Sequence, residues 1–191
     1  MPGGRPRAFD ADVALDRALE VFWRQGYEGT ALSDLTEAMG INRPSLYAAF
    51  GNKEELFAKV VDRYVDGPGA YAGQALEQPH ARDVVARLVY GAVDLTTRPE
   101  TPGCLAVGCV QPCGPDGEPA RQLAIALRKA SETALRRRLE RARDEGDLVG
   151  DPADVTCFVM TVTDGIAVQA AGGASRAELL RAAELALRAL G

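Results

Sequence analysis

Apolar residues recur three and four positions apart along most of the chain, the spacing of helices with one buried face. Ala14, Leu15, Ala18, Leu19 and Phe22 form the first such face. Asp10 is a good N-cap for it, and Gly26 a left-handed C-cap with Tyr27 folding back as its apolar partner. A second helix follows Thr30, turns Leu32, Leu35 and Met39 inward, and stops at Gly40. Asn42 then caps a very short third helix that tolerates Pro44 in its first turn and ends at Gly51. Asn52 opens a fourth, with Glu55 placed to reach back as in a capping box. Its inward positions are Leu56, Phe57, Val60, Val61 and Tyr64. The run "DGPGAYAG" breaks the pattern, and the domain boundary is expected there, dividing the chain into 1–66 and 67–191.

Beyond that break the helical period returns over 81–97, 120–145, 152–171 and 175–190, with a short apolar segment at 104–111. No alternation of period two persists, and no repeat of solenoid length is visible. The expected fold is all-α, with about nine helices.

Composition narrows this picture. The chain is 47% hydrophobic and 26% charged over 191 residues, which suits one or two compact domains. No apolar run approaches the roughly 20 residues of a membrane span. The start "MPGGRPRAFD" has two arginines but no apolar stretch after them, so a cytoplasmic protein is expected. The net charge of −5 argues against a general polyanion binder. Residues 1–66 alone hold eight Lys and Arg against eleven Asp and Glu. Any contact with nucleic acid there must rest on the placement of a few cations.

The short third helix poses a question. A helix of about seven residues is unstable alone. Neighbours must hold it through Ile41, Leu46 and Phe50, which leaves Arg43, Ser45, Tyr47 and Ala48 towards the outside. Two helices joined by a tight glycine turn, the second pinned and facing out, form a helix-turn-helix candidate that fits a DNA major groove. The stretch "GTALSDLTEAMGINRPSLYAAFGNKEELF" resembles the DNA-binding domain of the TetR family of bacterial repressors. The likeness lies in the Thr before the second helix, the Gly-Ile turn, the "SLY..F" core and the "NKEELF" start. It covers about residues 8–60.

The resemblance implies that Thr30, Tyr47 and Lys53 contact DNA phosphates and that Arg43, Pro44 and Ser45 face base edges. It places Arg5 and Arg7 on an arm that reaches backbone or minor groove. Pro44 stands where the family often has Gly, and Ala48 and Ala49 where it often has polar or aromatic residues, so base preference does not transfer. Taken singly, Tyr47 also reads as a half-buried aromatic, and Thr30 and Lys53 as helix-start residues.

For the second half, the resemblance implies an effector pocket and a homodimer, hence a repressor that binds a palindromic operator and is released by an unidentified small molecule. The pocket candidates are Tyr90, Asp94, Cys104, Val107, Phe158, Thr161 and Asp164, an apolar lining with a few polar groups. The interface candidates on the last two helices are Val155, Val159, Val162, Ile166, Leu180, Ala183 and Leu187. Four cysteines, three within ten residues, leave a thiol-based redox or electrophile sensor using Cys104 and Cys109 as the alternative, beside inert core thiols. Their spacing does not match a zinc site, and no metal or other cofactor is expected. No nucleophile–base constellation stands out around His80, so no enzyme is expected. The arginine-rich stretch 128–147 reads as a solvated face because acidic residues interleave.

Overall fold

The computed structural model describes residues 9–110 and 114–189. Among them are ten α-helices, two 3-10 turns and no strand. The first four helices are α1 (Ala11–Gly29), α2 (Leu32–Met39), α3 (Arg43–Phe50) and α4 (Lys53–Asp66). After a 3-10 turn at Pro68–Ala70 come α5 (Tyr71–Leu76), α6 (Ala81–Thr96) and α7 (Leu105–Gly108). A second 3-10 turn at Pro115–Gly117 leads into α8 (Glu118–Asp144), then α9 (Pro152–Ala171) and α10 (Arg176–Arg188).

The starts follow the chemistry of the sequence. Asp10 accepts from the amides of Asp12 and Val13 at 3.0 and 3.2 Å. Asn42 accepts from the Ser45 amide at 2.9 Å. Asn52 and Glu55 cap each other's amides at 2.8 Å, a complete capping box. Gly40 ends α2 at φ 68° and ψ 30°, a left-handed position that an L side chain rarely adopts. Gly26 also has positive φ, but the chain re-enters helix for Tyr27–Gly29, so α1 carries a kink there rather than its end.

One helix is additional to the nine expected. Gly67, Pro68 and Gly69 interrupt the helical pattern for a single turn, and α5 forms directly after them. Six residues have no stability of their own. Packing supplies it: Ala75 is fully buried and the Tyr71 ring lies against Gly91 of α6.

Two cores result. Beneath the first four helices, Phe22, Leu35, Leu46, Leu56 and Phe57 are fully enclosed. Aromatic edges lock this core: Phe22 meets Phe57 and Trp23 meets Tyr64 with ring centres 5.1 Å apart in both pairs. It extends past residue 66 to Leu95, Leu105 and Ala120. The second core is aliphatic, built from Val84, Val89, Val93, Leu135, Leu139 and Val159. Within α8, Arg138 departs from the solvated face expected for its stretch. It is 7% exposed and donates to the carbonyls of Leu76, Gln78 and Pro79, clamping the turn between α5 and α6.

Candidate nucleic-acid interface and inner cavity

Leu46 and Phe50 anchor α3 from below, with Leu46 fully buried and Phe50 nearly so. Turned outward are Arg43, Pro44, Tyr47, Ala48 and Ala49, all exposed, with Tyr47 at 48%. Ser45 is half-buried, and its amide is spent on the Asn42 cap. Two cations flank this pair of helices through carbonyls at helix ends. Arg17 donates to Ala38 of α2 at 3.5 Å, and Lys59 to Phe50 of α3 at 3.4 Å. Sequence reasoning did not single these out, because neither lies in the motif. Arg63 is otherwise occupied: it grips Asp16 with two bonds of 2.7 and 2.8 Å.

The phosphate candidates divide. Lys53 lies at the first turn of α4 with its ammonium 4.4 Å above the centre of the Tyr27 ring. Partial burial holds its pKa below the usual lysine value, opposed by the carboxylates of Asp116, Glu28 and Asp34. Thr30 is corrected by the structure. It is 1% exposed and its hydroxyl donates to the Gly26 carbonyl at 2.6 Å. The side chain therefore fixes the turn between α1 and α2 instead of facing outward. Arg5 and Arg7 lie outside the described residues.

A cavity of about 510 Å³ lies between α4, α5, α6, α7, α8 and α9. Of the expected pocket residues, Cys104, Val107 and Asp164 line it. The other four do not. Tyr90 is exposed, and Asp94 sits outside the cavity in an ion pair with Arg176 at 2.6 Å. Thr161 is exposed and bonds back to the Cys157 carbonyl. Phe158 is half-buried against the aliphatic core. All four sit on the wrong side of α6 or α9, an angle that helical spacing alone does not fix.

Lining residues the sequence did not flag include Tyr64, Tyr71, Arg128, Met160 and Thr163. Arg128 forms a two-pronged ion pair with Asp164, one bond measuring 2.6 Å. That bond keeps the guanidinium charged against partial burial. The Tyr64 hydroxyl and the Cys104 thiol are 3.1 Å apart, and burial pushes the Tyr64 phenol well up. Two further bonds tie this region to the first four helices. Trp23 donates from Nε1 to the Gly103 carbonyl at 3.2 Å, and the Gly114 amide donates to Glu28 at 2.8 Å. A more polar depression of about 690 Å³ beside α1 and α4 is lined by the paired Asp16 and Arg63.

The interface candidates are also redistributed. Val155, Val159, Ile166 and Ala183 are buried in the chain's own aliphatic core, and Val162, Leu180 and Leu187 pack half-buried against it. Much of their apolar surface is taken up within the chain, because α9 packs on α6 and α8 and α10 packs on α6 and α9. The outer strip of α9 instead carries Cys157, Thr161, Gly165 and Val168, with Ala182 and Leu185 exposed on α10. Val168 and Leu185 are 54% and 61% exposed.

Comparison with known proteins joins these features. The family model of bacterial regulatory proteins of the tetR family matches residues 14–60, which span α1 to α4. The transcriptional repressor ComR of Escherichia coli K12 is 33% identical over 190 residues, covering 97% of this chain and 90% of that protein. The repressor BdcR of the same organism is 30% identical over 98% of this chain and 92% of its own length. A cysteine-substituted form of the TetR-family regulator CifR, solved with 26-base-pair operator DNA, is 43% identical. It superimposes with a TM-score of 0.92 over 98% of this chain and 100% of its own. With likeness over nearly its whole length and a helix-turn-helix pinned at α2 and α3, the chain belongs to the TetR family of bacterial transcriptional regulators.

Proposed function

We propose that this protein is a dimeric repressor that binds a palindromic DNA operator and is released when a small molecule enters the cavity. One observation carries the reading: α3 is held by Leu46 and Phe50 so that Arg43, Pro44 and Tyr47 stand clear of the protein. A helix presented this way fits the major groove, with its N-terminal residues at base edges. The operator-bound state of CifR supports it. Arg43, Pro44 and Ser45 would face bases; Tyr47 and Lys53 would position the backbone, joined by Arg5 and Arg7 on the preceding arm. Residues 1–66 serve as the reading head and 67–191 as sensor and dimer module.

Dimerisation by the outer strip of α9 and α10 gives both helices a partner for the exposed Val168 and Leu185. A Cβ at Gly165 would meet open space, so a second chain can approach closely there. Release follows as a population shift. Tyr64 and Val65 at the end of α4 line the cavity, and the other end of α4 carries Lys53. An occupant that favours a tilted α4 draws the dimer away from the spacing the operator needs. The alternative, a thiol sensor using Cys104 and Cys109, is favoured by the place of Cys104 in the cavity wall beside Tyr64. Oxidant-dependent release that persists in the Cys104→Ser and Cys109→Ser variants would eliminate it.

The test is selection of the purified protein on random double-stranded DNA at two salt concentrations. Enrichment of a palindrome whose binding weakens steeply with salt is expected, since a handful of neutralised phosphates dominates affinity. Tyr47→Ala should lower affinity by about 1–2 kcal/mol while leaving the melting temperature alone. No enrichment even at low salt would overturn the reading.

A further inference from the structure

We propose that the cavity takes an uncharged, mainly apolar molecule bearing one hydrogen-bonding oxygen, and that the Tyr71 hydroxyl is the group that receives that oxygen. This rests on reading the cavity as the effector site and specifies what that site accepts.

The argument is an account of the polar groups in the wall. The Thr96 hydroxyl donates to the Ala92 carbonyl at 2.7 Å, and the Thr163 hydroxyl to Val159 at 3.0 Å. The Ser131 hydroxyl donates to Leu127 at 3.1 Å, and Tyr64 and Cys104 engage each other. These groups are satisfied within the protein. The Tyr71 hydroxyl is different: no hydrogen bond to another described residue engages it, and its half-buried side chain lines the cavity. Burial raises its pKa far above the ordinary phenol value, so it stays a neutral group that both donates and accepts. Its ring is held by Gly91, where an added Cβ would come within 2.2 Å of the ring carbon Cδ2. No buried side-chain N or O atom among the described residues lacks a partner, so this hydroxyl is open to the cavity, where a ligand oxygen can replace water on it.

Charge is excluded by the remaining pair. Arg128 and Asp164 neutralise each other in the wall. A ligand carboxylate gains from Arg128 only by displacing Asp164, which then keeps a poorly solvated charge; an ammonium meets the mirror problem. An uncharged ligand leaves the pair intact. The volume of about 510 Å³ lies within the usual range for small-molecule sites.

Four probes of matched shape separate the possibilities by calorimetry on the full chain: benzylacetone, butylbenzene, phenylbutyrate and phenylbutylammonium. Benzylacetone should bind about tenfold or more tightly than either charged probe. Tyr71→Phe should weaken benzylacetone about three- to tenfold, the size of one net hydrogen bond, and leave butylbenzene unchanged. Asp164→Asn, which frees Arg128, should improve phenylbutyrate selectively. Circular dichroism and melting confirm that each variant is folded. Equal binding of the carboxylate, no effect of Tyr71→Phe, or no binding of any probe overturns the inference. Operator anisotropy with each bound probe reads the effector role separately. Selective ketone binding without loss of operator affinity would support the cavity chemistry and sink the effector reading.

Discussion

The core beneath α3 is centred on aromatic rings; the core of the longer half is aliphatic and borders a cavity of about 510 Å³. Phe22, Phe57, Trp23, Tyr27 and Tyr64 meet in stacked and edge contacts in the head, where large rings fill the angles between short helices. Helices α2 and α3 have eight residues each and little stability of their own. They hold their place through Leu35, Met39, Leu46 and Phe50, packed into the core that these rings fill. The longer helices α6, α8 and α9 are self-sufficient enough to span a space lined by Ala92, Ala130, Ala134 and Ala167.

If the comparison is right, truncation in the head should cost more than truncation at the cavity edge. Phe22→Ala removes a fully buried ring at the centre of the head, and should lower stability by about 3–5 kcal/mol. Leu88→Ala trims a half-buried side chain at the cavity edge, where space already exists, and should cost about 1 kcal/mol. Denaturant titration of both variants measures this, and equal losses would break the contrast. Operator binding should be lost with Phe22→Ala because α3 loses its support.

A smaller effect of opposite sign sharpens the point. Ala134→Leu on α8 projects new apolar volume into the cavity and should raise stability by about 0.5–2 kcal/mol. Operator affinity should stay the same while the response to any cavity ligand falls, as read by calorimetry and anisotropy. A destabilised protein would mean that the cavity is not room available to a side chain.

The head was the more legible half because its signals are local. Asn42, Asn52 with Glu55, and Gly40 each act within one turn of their position, so three helices could be placed from sequence. The outward direction of Tyr47 followed from Leu46 and Phe50 being inward. Thr30 was misjudged because its hydroxyl answers to a carbonyl four residues back, a bond no pattern of apolar positions reveals. In the second half, α9 is apolar on several sides, so its periodicity could not tell the face packed on α6 and α8 from the strip left outside. Hence Val159 and Ile166 prove to be core, while Val168 is exposed. Tyr71 and Arg128 were not legible, since one lies on a helix stabilised only by packing and the other inside a run of surface arginines.

The weakest test concerns charge, in which the two halves are expected to agree. In the head, the Arg63 guanidinium bonded to Asp16 holds that carboxyl below its ordinary value. In the second half, the Ala81 amide donates to Asp147 at 2.6 Å, with His80 Nδ1 at 3.2 Å from the same carboxylate, and these bonds hold Asp147 below its ordinary value. A carboxyl whose folded pKa is depressed binds fewer protons folded than unfolded near that pH. Its contribution is therefore complete above the unfolded pKa, about 3.9, and is lost as pH falls through the folded value. Asp147→Asn keeps an acceptor for the Ala81 amide and removes the charge. Its melting-temperature deficit should shrink below about pH 4, as should that of Asp16→Asn, whose partner Arg63 stays charged throughout. A deficit in Asp147→Asn that stays undiminished below about pH 3 would mean that the amide cap does not favour the charged carboxylate. The N-terminus of α6 would then depend on packing, as α5 does.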